Sequence, residues 1–297
     1  MAKIGENGLG VFGFEVDVSA KSPHSNISIF PHPSPPPTFA QKKKQMATVH
    51  QFFQDNAAHG RKMLAMLIDP DKTSRRQLGQ ALEVAEDGLA DFYLVGGSLL
   101  TNGTFEDCIS QLKEQTGKPV VIFPGGLLQV SHHADAILFL SLISGRNPEM
   151  LIGKHVQAAP NIRRMGLEAI PTGYMLVDGG NITSVQYMSN TIPIPADKDD
   201  IALCTAIAGE MLGMKLIYID AGSGAKNPIS SSMIAAVRGA VSVPIIVGGG
   251  IRTAHDAEQM LEAGADVLVV GNAAEEDPRN LIEIAAAVHS FQMVKQP

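Results

Sequence analysis

Eight short, unbroken apolar runs, most of them followed by a stretch of amphipathic character, constrain this chain more than any other feature. The runs lie at residues 63–68, 92–95, 120–123, 136–140, 168–177, 216–219, 244–247 and 267–270. They are rich in Val, Ile and Leu and too short for helices, the pattern of parallel strands buried on both faces. Helical patterns fill residues 74–88, 105–117, 148–165, 199–213, 230–241, 255–264 and 278–290. Gly88, Gly117, Gly213 and Gly264 stand at or just past helix ends, where a left-handed residue closes the last turn. The link between the third and fourth runs, residues 125–133, is too short for a full helix. Eight such units over about 250 residues predict an α/β fold, a (β/α)8 TIM barrel. A doubly wound open sheet is the competing architecture, but the first strand lacks a dinucleotide fingerprint.

The barrel is expected to occupy residues 46–297 as one domain. Ahead of it, Pro31, Pro33, Pro35, Pro36 and Pro37 precede Lys42, Lys43 and Lys44, with no apolar periodicity. Residues 1–45 are therefore expected to be a disordered, proline-rich extension. A net charge of −7 argues against nucleic acid as a partner. The two cysteines, Cys108 and Cys204, fit a reducing cytoplasm and read as helix packing residues. No apolar run approaches the roughly 20 residues of a membrane span.

Catalytic groups of a barrel sit where strands end. The first strand ends in Asp69-Pro70-Asp71-Lys72, where carboxylates can hold a hard cation. Asp71 reads equally well as the cap of the next helix. Lys72, Arg75 and Arg76 can steer an anion or simply solvate that helix start. The second strand ends in Gly96-Gly97-Ser98, whose hydroxyl can complete a cation shell. After the sixth strand comes Tyr218-Ile219-Asp220-Ala221-Gly222-Ser223-Gly224; alternation puts Tyr218 and Asp220 on one side. Asp220 can accept a proton from a substrate hydroxyl, while the glycines expose N–H groups to an oxyanion. Gly248, Gly249 and Gly250 after the seventh strand and Gly271-Asn272 after the eighth fall at this fold's recurrent phosphate site. His132 and His133, adjacent and facing different ways, make a poor chelate.

Together LIDPDK, VGGS, the NP after the fourth strand, YIDAGSGA, VGGGIRT and VGN resemble the geranylgeranylglyceryl phosphate synthase family, which includes the heptaprenylglyceryl phosphate synthases. The likeness runs through nearly all of the chain after Met46. It implies magnesium-dependent transfer of a polyprenyl group, geranylgeranyl first among the donors, from its diphosphate to the 3-hydroxyl of sn-glycerol 1-phosphate, giving an ether lipid precursor. By position, Asp69 and Ser98 would lie at the magnesium site. Tyr218, Ile219, Asp220, Ala221, Gly222 and Ser223, with Gly249, Gly250, Gly271 and Asn272, would hold glycerol phosphate. Asp220 and Tyr218 would be catalytic. Many relatives carry Glu at the position of Asp220, and archaeal ones tend to carry Lys where this chain has Leu67, so a bacterial-like, second-group member is implied. The prenyl tail is expected near Tyr174 and Asn147-Pro148. A homo-oligomer and transient membrane contact are further expectations. Two alternatives stay open: a phosphate-barrel isomerase or synthase, for which Asp178-Gly179-Gly180 speaks, and a non-catalytic phosphate- or prenyl-binding scaffold.

Overall fold

In the computed structural model, residues 48–84, 89–271 and 278–291 are described. The expectation for residues 1–45, the cap at Gly88 and Asn272 lie outside them. Eight parallel strands close into a barrel in sequence order: β1 (Met63–Ile68), β2 (Phe92–Val95), β3 (Val120–Ile122), β4 (Ala136–Leu142), β5 (Glu168–Leu176), β6 (Leu216–Asp220), β7 (Ile245–Gly248) and β8 (Val267–Val270). β8 closes on β1 with Met63 beside Val267. The strands fall where the apolar runs predict them, because a residue pair in each faces both the barrel interior and the helical shell.

That alternation sorts the core into two layers. Ala65, Phe92, Leu94, Leu138, Tyr174, Tyr218 and Ile246 pack together inside the barrel. Leu64, Val95, Ile122, Ile217, Ile219 and Val247 pack against the helices outside it. The outer shell comprises α2 (Arg75–Val84), α3 (Phe105–Gln115), α4 (Lys154–Met165), α6 (Asp199–Met211), α7 (Ser231–Arg238), α8 (Ala254–Glu262) and α9 (Pro278–Ser290).

Two helices escape the sequence pattern. α1 (Val49–Ala58) precedes the first strand and inserts Val49 and Phe53 into the inner layer, so it plugs the lower end of the barrel. Phe53 meets Phe92 edge-on at 4.9 Å, and Glu168 accepts from the N–H groups of Val49 and His50 at 2.8 and 3.0 Å. α5 (Ser184–Ser189) is a six-residue helix after β5. The stretch predicted as one helix over residues 148–165 begins instead with a π-helical turn, Glu149–Gly153, before α4. Asn147 starts that turn: its carbonyl accepts from both Met150 and Leu151, and its side chain accepts from Glu149.

At the strand starts, carboxylates clasp neighbouring strands. Asp91, ahead of β2, accepts from Leu64 N–H of β1 at 2.9 Å; Asp135, ahead of β4, accepts from Val120 of β3 at 2.8 Å; Asp266, ahead of β8, accepts from Ile245 of β7 at 2.9 Å. Each also meets a cation: Arg61 at Asp91, Lys113 at Asp135, and Lys62 and Arg238 at Asp266; His289 Nε2 lies 3.1 Å from Asp91 Oδ2 as well.

Some local expectations need correction. Gly213 and Gly264 take the left-handed cap conformation, with φ of +90° and +111°, but Gly117 does not, because α3 ends two residues earlier on an extended Thr116. Cys108 is buried, whereas Cys204 is exposed and is no core residue. His132 and His133 do not face apart; their exposed rings lie 3.9 Å from each other.

Candidate active site

The C-terminal ends of the strands surround a cavity of about 500 Å³. Asp69, Gly97, Ser98, Tyr174, Tyr218, Asp220, Ser223, Gly249, Gly250 and Gly271 all reach its wall. Residues from strands β1, β2, β5, β6, β7 and β8, far apart in sequence, thus converge at the mouth.

Asp220 is the most constrained group there. It is 6% exposed at the end of β6. Its Oδ2 accepts from the Tyr174 hydroxyl at 2.6 Å, and its Oδ1 accepts from Gly222 N–H at 2.8 Å. Burial pushes its pKa above the ordinary carboxylate value, while Tyr174 and the Gly222 N–H pull it back in part. Burial and the adjacent Asp220 likewise raise the Tyr174 and Tyr218 pKa values well above the usual 10, so both phenols keep their protons. Phe123 stacks on Tyr218 at 5.2 Å, and Tyr174 meets Tyr218 nearly perpendicular at 5.5 Å. The three rings line one side of the cavity around the carboxylate. Sequence patterning misses Phe123, because one aromatic residue at a strand end has no distinguishing spacing.

Beside Asp220 lies the glycine loop after β7. Gly249 and Gly250 have φ of +83° and +76°, and a side chain on Gly249 would come within 2.9 Å of Asp220 Oδ1. The backbone can approach this closely only without a Cβ. Arg252 ties this loop to the one after β6, donating to the carbonyls of Ala225 and Lys226 at 2.8 and 3.2 Å. Ser223 is exposed at the wall. Ile219 and Ala221 point outward into the helical layer and do not line the cavity. Gly222 contributes its N–H to Asp220, not its surface to the cavity wall.

Across the mouth, Asp69 and Asp71 part company. Asp71 does not cap α2. Ser74 does so, exchanging hydrogen bonds with Gln77. The Asp71 carboxylate instead accepts from Thr101 N–H and hydroxyl at 2.5 and 2.8 Å and from Asn102 N–H at 3.1 Å, bracing the loop after β2. Asp69 faces the cavity, with Lys72 3.1 Å from its Oδ2. A Cβ on Gly97 would sit 3.0 Å from Asp69 Oδ1, so the glycine keeps open the space between this carboxylate and Ser98. One carboxylate and one hydroxyl suit magnesium, which retains waters and takes substrate phosphate oxygens. Among the described residues no cluster of three or more His, Cys, Asp or Glu forms a metal cage. Gln129, another residue without a sequence signal, organises this corner: its amide donates to Gly97 carbonyl at 2.7 Å and accepts from Gly125 N–H at 3.1 Å.

The cavity has an apolar branch. It runs from the polar mouth between β4 and α4, past Met150, Phe139, His155, Ala158 and Ile162. The missing helix between β3 and β4 leaves this space open. Asn147 and Pro148 do not line it; Asn147 is spent on the π-turn and on Ser189, to whose carbonyl it donates at 2.7 Å. Asp178 also stays away from the cavity wall, exposed and accepting from Gly180 N–H at 2.9 Å within its own loop. An acid–base pair between the first and fifth strands is thus not assembled.

Fold and site together define a phosphate-barrel architecture with an apolar annex at its mouth. Residues 58–289 match the PcrB family, and the chain belongs to that family. It is 52% identical over 242 residues to a geranylgeranylglyceryl phosphate synthase of Chitinophaga pinensis, covering 82% of this chain and 96% of the relative. A protein of the same name from Spirosoma linguale is 52% identical over 238 residues, covering 80% and 96%. The crystal structure of (S)-3-O-geranylgeranylglyceryl phosphate synthase from Thermoplasma acidophilum, in complex with its substrate sn-glycerol-1-phosphate, superimposes with a TM-score of 0.78 at 33% identity, covering 83% of this chain and all of that one.

Proposed function

We propose that the chain transfers a polyprenyl group, geranylgeranyl first among the donors, from its diphosphate to the 3-hydroxyl of sn-glycerol 1-phosphate. The observation that carries this reading is one cavity with two chemistries: a buried carboxylate beside glycine loops, opening into an apolar branch. Two relatives that share 52% identity with the chain and carry the synthase name support it.

In this reading the backbone of Gly249, Gly250 and Gly271, with Ser223, holds the glycerol phosphate, and Asn272, next in sequence, is assigned to the same task. Tyr218 packs beneath the acceptor. Asp220 receives the proton of the attacking hydroxyl, and its raised pKa makes it a better acceptor than an exposed carboxylate. Tyr174 fixes Asp220 through its 2.6 Å hydrogen bond. The faces of Phe123, Tyr174 and Tyr218 stand near positive charge building on the allylic carbon, an arrangement that favours it. Holding donor and acceptor in one cavity removes much of the entropy of their encounter. Asp69 and Ser98 would hold magnesium, which neutralises a diphosphate and makes it a better leaving group. Along the apolar branch each buried CH2 of the tail contributes about 0.8 kcal/mol.

The same reading takes residues 46–297 as the single catalytic barrel, working in the cytoplasm as a homo-oligomer. Among the described residues no helix is long and apolar enough to cross a membrane. Leu99, Leu128, Ile152, Ile182 and Tyr187 are exposed on loops and short helices at the mouth, which supports transient contact with a lipid surface. Liposome flotation tests that contact.

The decisive assay pairs sn-glycerol 1-phosphate, or its 3-phosphate enantiomer, with C15 to C35 prenyl diphosphates, with magnesium or with chelator. Magnesium-dependent product from the 1-phosphate alone is expected. No product from any donor with folded protein overturns the reading.

A further inference from the structure

The wall of the apolar branch contains a polar relay. His155, on the first turn of α4, is 8% exposed and lines the branch. Its ring stands perpendicular to Phe139 at 4.5 Å. Ser141, on β4, is equally buried, and its hydroxyl lies 3.2 Å from His155 Nε2 and 3.3 Å from the Leu151 carbonyl in the π-turn. A hydroxyl has one proton. Since the carbonyl can only accept, Ser141 donates to Leu151 and accepts from His155, which therefore carries its proton on Nε2. Nδ1 is left as a bare acceptor and finds no hydrogen-bond partner. Burial lowers the His155 pKa, opposed by a hydrogen bond of the ring to the Leu140 backbone.

What the ring gains is a grip. Through Ser141 it fastens the Leu151 carbonyl, and with it the π-turn, to β4. Such turns recur at functional sites because their loosened hydrogen bonding leaves them adjustable. From Lys154 to Ile162 the helix forming this wall rises about 12 Å, so a small shift at its start alters the branch along its length.

We propose that His155 is a positioning residue for donor specificity: by pinning the π-turn to β4 through Ser141, it fixes the width of the apolar branch and thereby which prenyl chain lengths are accepted. This rests on the reading that the branch holds the donor's tail.

The test uses the full chain and the variants H155L, H155Q, S141A and H155L/S141A. Thermal unfolding of each is measured beside steady-state kinetics with C10 to C35 prenyl diphosphates. H155L and S141A should each reduce the discrimination between the best and next-best donor about fivefold to tenfold, the scale of one lost hydrogen bond. KM for glycerol phosphate should not change. The double variant should lose no more than either single one, since both break the same relay. H155Q, whose amide can still donate to Ser141, should recover part of the discrimination. An unchanged donor profile in folded H155L, or a parallel loss of glycerol phosphate affinity, overturns the proposal. If H155L does not fold, S141A decides it by the same criteria. If the wild type turns over no donor at all, the transferase reading fails. His155 is then judged by calorimetry with the same diphosphates, and equal affinities in wild type and S141A overturn its role.

Discussion

Tyr174 donates a 2.6 Å hydrogen bond to Asp220 Oδ2 across the β5–β6 interface, joining two fully buried groups on adjacent strands. The phenol is held in its protonated form by burial and by the carboxylate it faces. Replacing it, Tyr174→Phe, removes the donor and keeps the ring. The Asp220 pKa then rises further, so the acid limb of kcat/KM should move to higher pH, with a rate loss of about tenfold. A pH profile identical to wild type would remove Tyr174 from the mechanism.

Asp220 itself sets that limb. Burial raises its pKa above 3.8. A base must be ionised to act, so activity should grow as pH climbs through this raised value and be lost below it. Asp220→Asn should lower kcat by about 10²- to 10⁴-fold, while calorimetry still detects glycerol 1-phosphate. Retained turnover in the variant would mean that the proton leaves by another route.

A methyl group on Gly249 meets two obstacles: its φ of +83° and an Asp220 oxygen 2.9 Å away. Gly249→Ala should weaken glycerol phosphate binding about tenfold or more and destabilise the fold by about 1–2 kcal/mol. Calorimetry and thermal unfolding read these separately. Wild-type affinity would place the phosphate elsewhere.

Chelation should abolish turnover, and added magnesium should restore it. Asp69→Asn should raise the magnesium concentration needed for half-maximal rate while leaving glycerol phosphate affinity alone. A variant with an unchanged magnesium dependence would move the cation to different ligands.

At the opposite end, Asp91 holds the start of β1 and is held by His289 and Arg61. Burial alone would raise its pKa, but His289, the Leu64 N–H and Arg61 outweigh it and the net shift is downward. A depressed folded-state pKa gives stability that is present above the unfolded value of 3.8 and is lost as pH falls through the folded value. Asp91→Asn should therefore destabilise at neutral pH, by about 1–3 kcal/mol, and make stability less sensitive to acid. Equal pH dependence of unfolding in the two proteins would refute this.

The barrel strands were legible in the sequence because most of their residues are buried on one face or the other, which leaves few polar positions, such as Ser141 in β4 and Thr172 in β5, to blur the apolar runs. α1 was not: its sequence VHQFFQDNAA buries only Val49 and Phe53, with Phe52 half-buried beside them, and it lies ahead of the first strand. α5 is too short to show a period. At the site, residues at strand ends beside glycines stood out, and Asp69, Ser98, Asp220, Gly249 and Gly250 do reach one cavity. Groups that act through distant partners did not stand out. Asp71 finds Thr101 about 30 residues away, Gln129 finds Gly97, and His155 finds Ser141. No local spacing encodes those meetings.

The clasps at Asp91, Asp135 and Asp266 sit at the strand starts, a barrel's height from the cavity. Amide hydrogens of Leu64, Val120 and Ile245 should consequently exchange with solvent at rates set by global opening, whichever ligand occupies the mouth. Loops above can be rebuilt for a different donor without loosening the hoop below, so this chain is a scaffold whose upper rim is open to change while its lower rim keeps the count of strands.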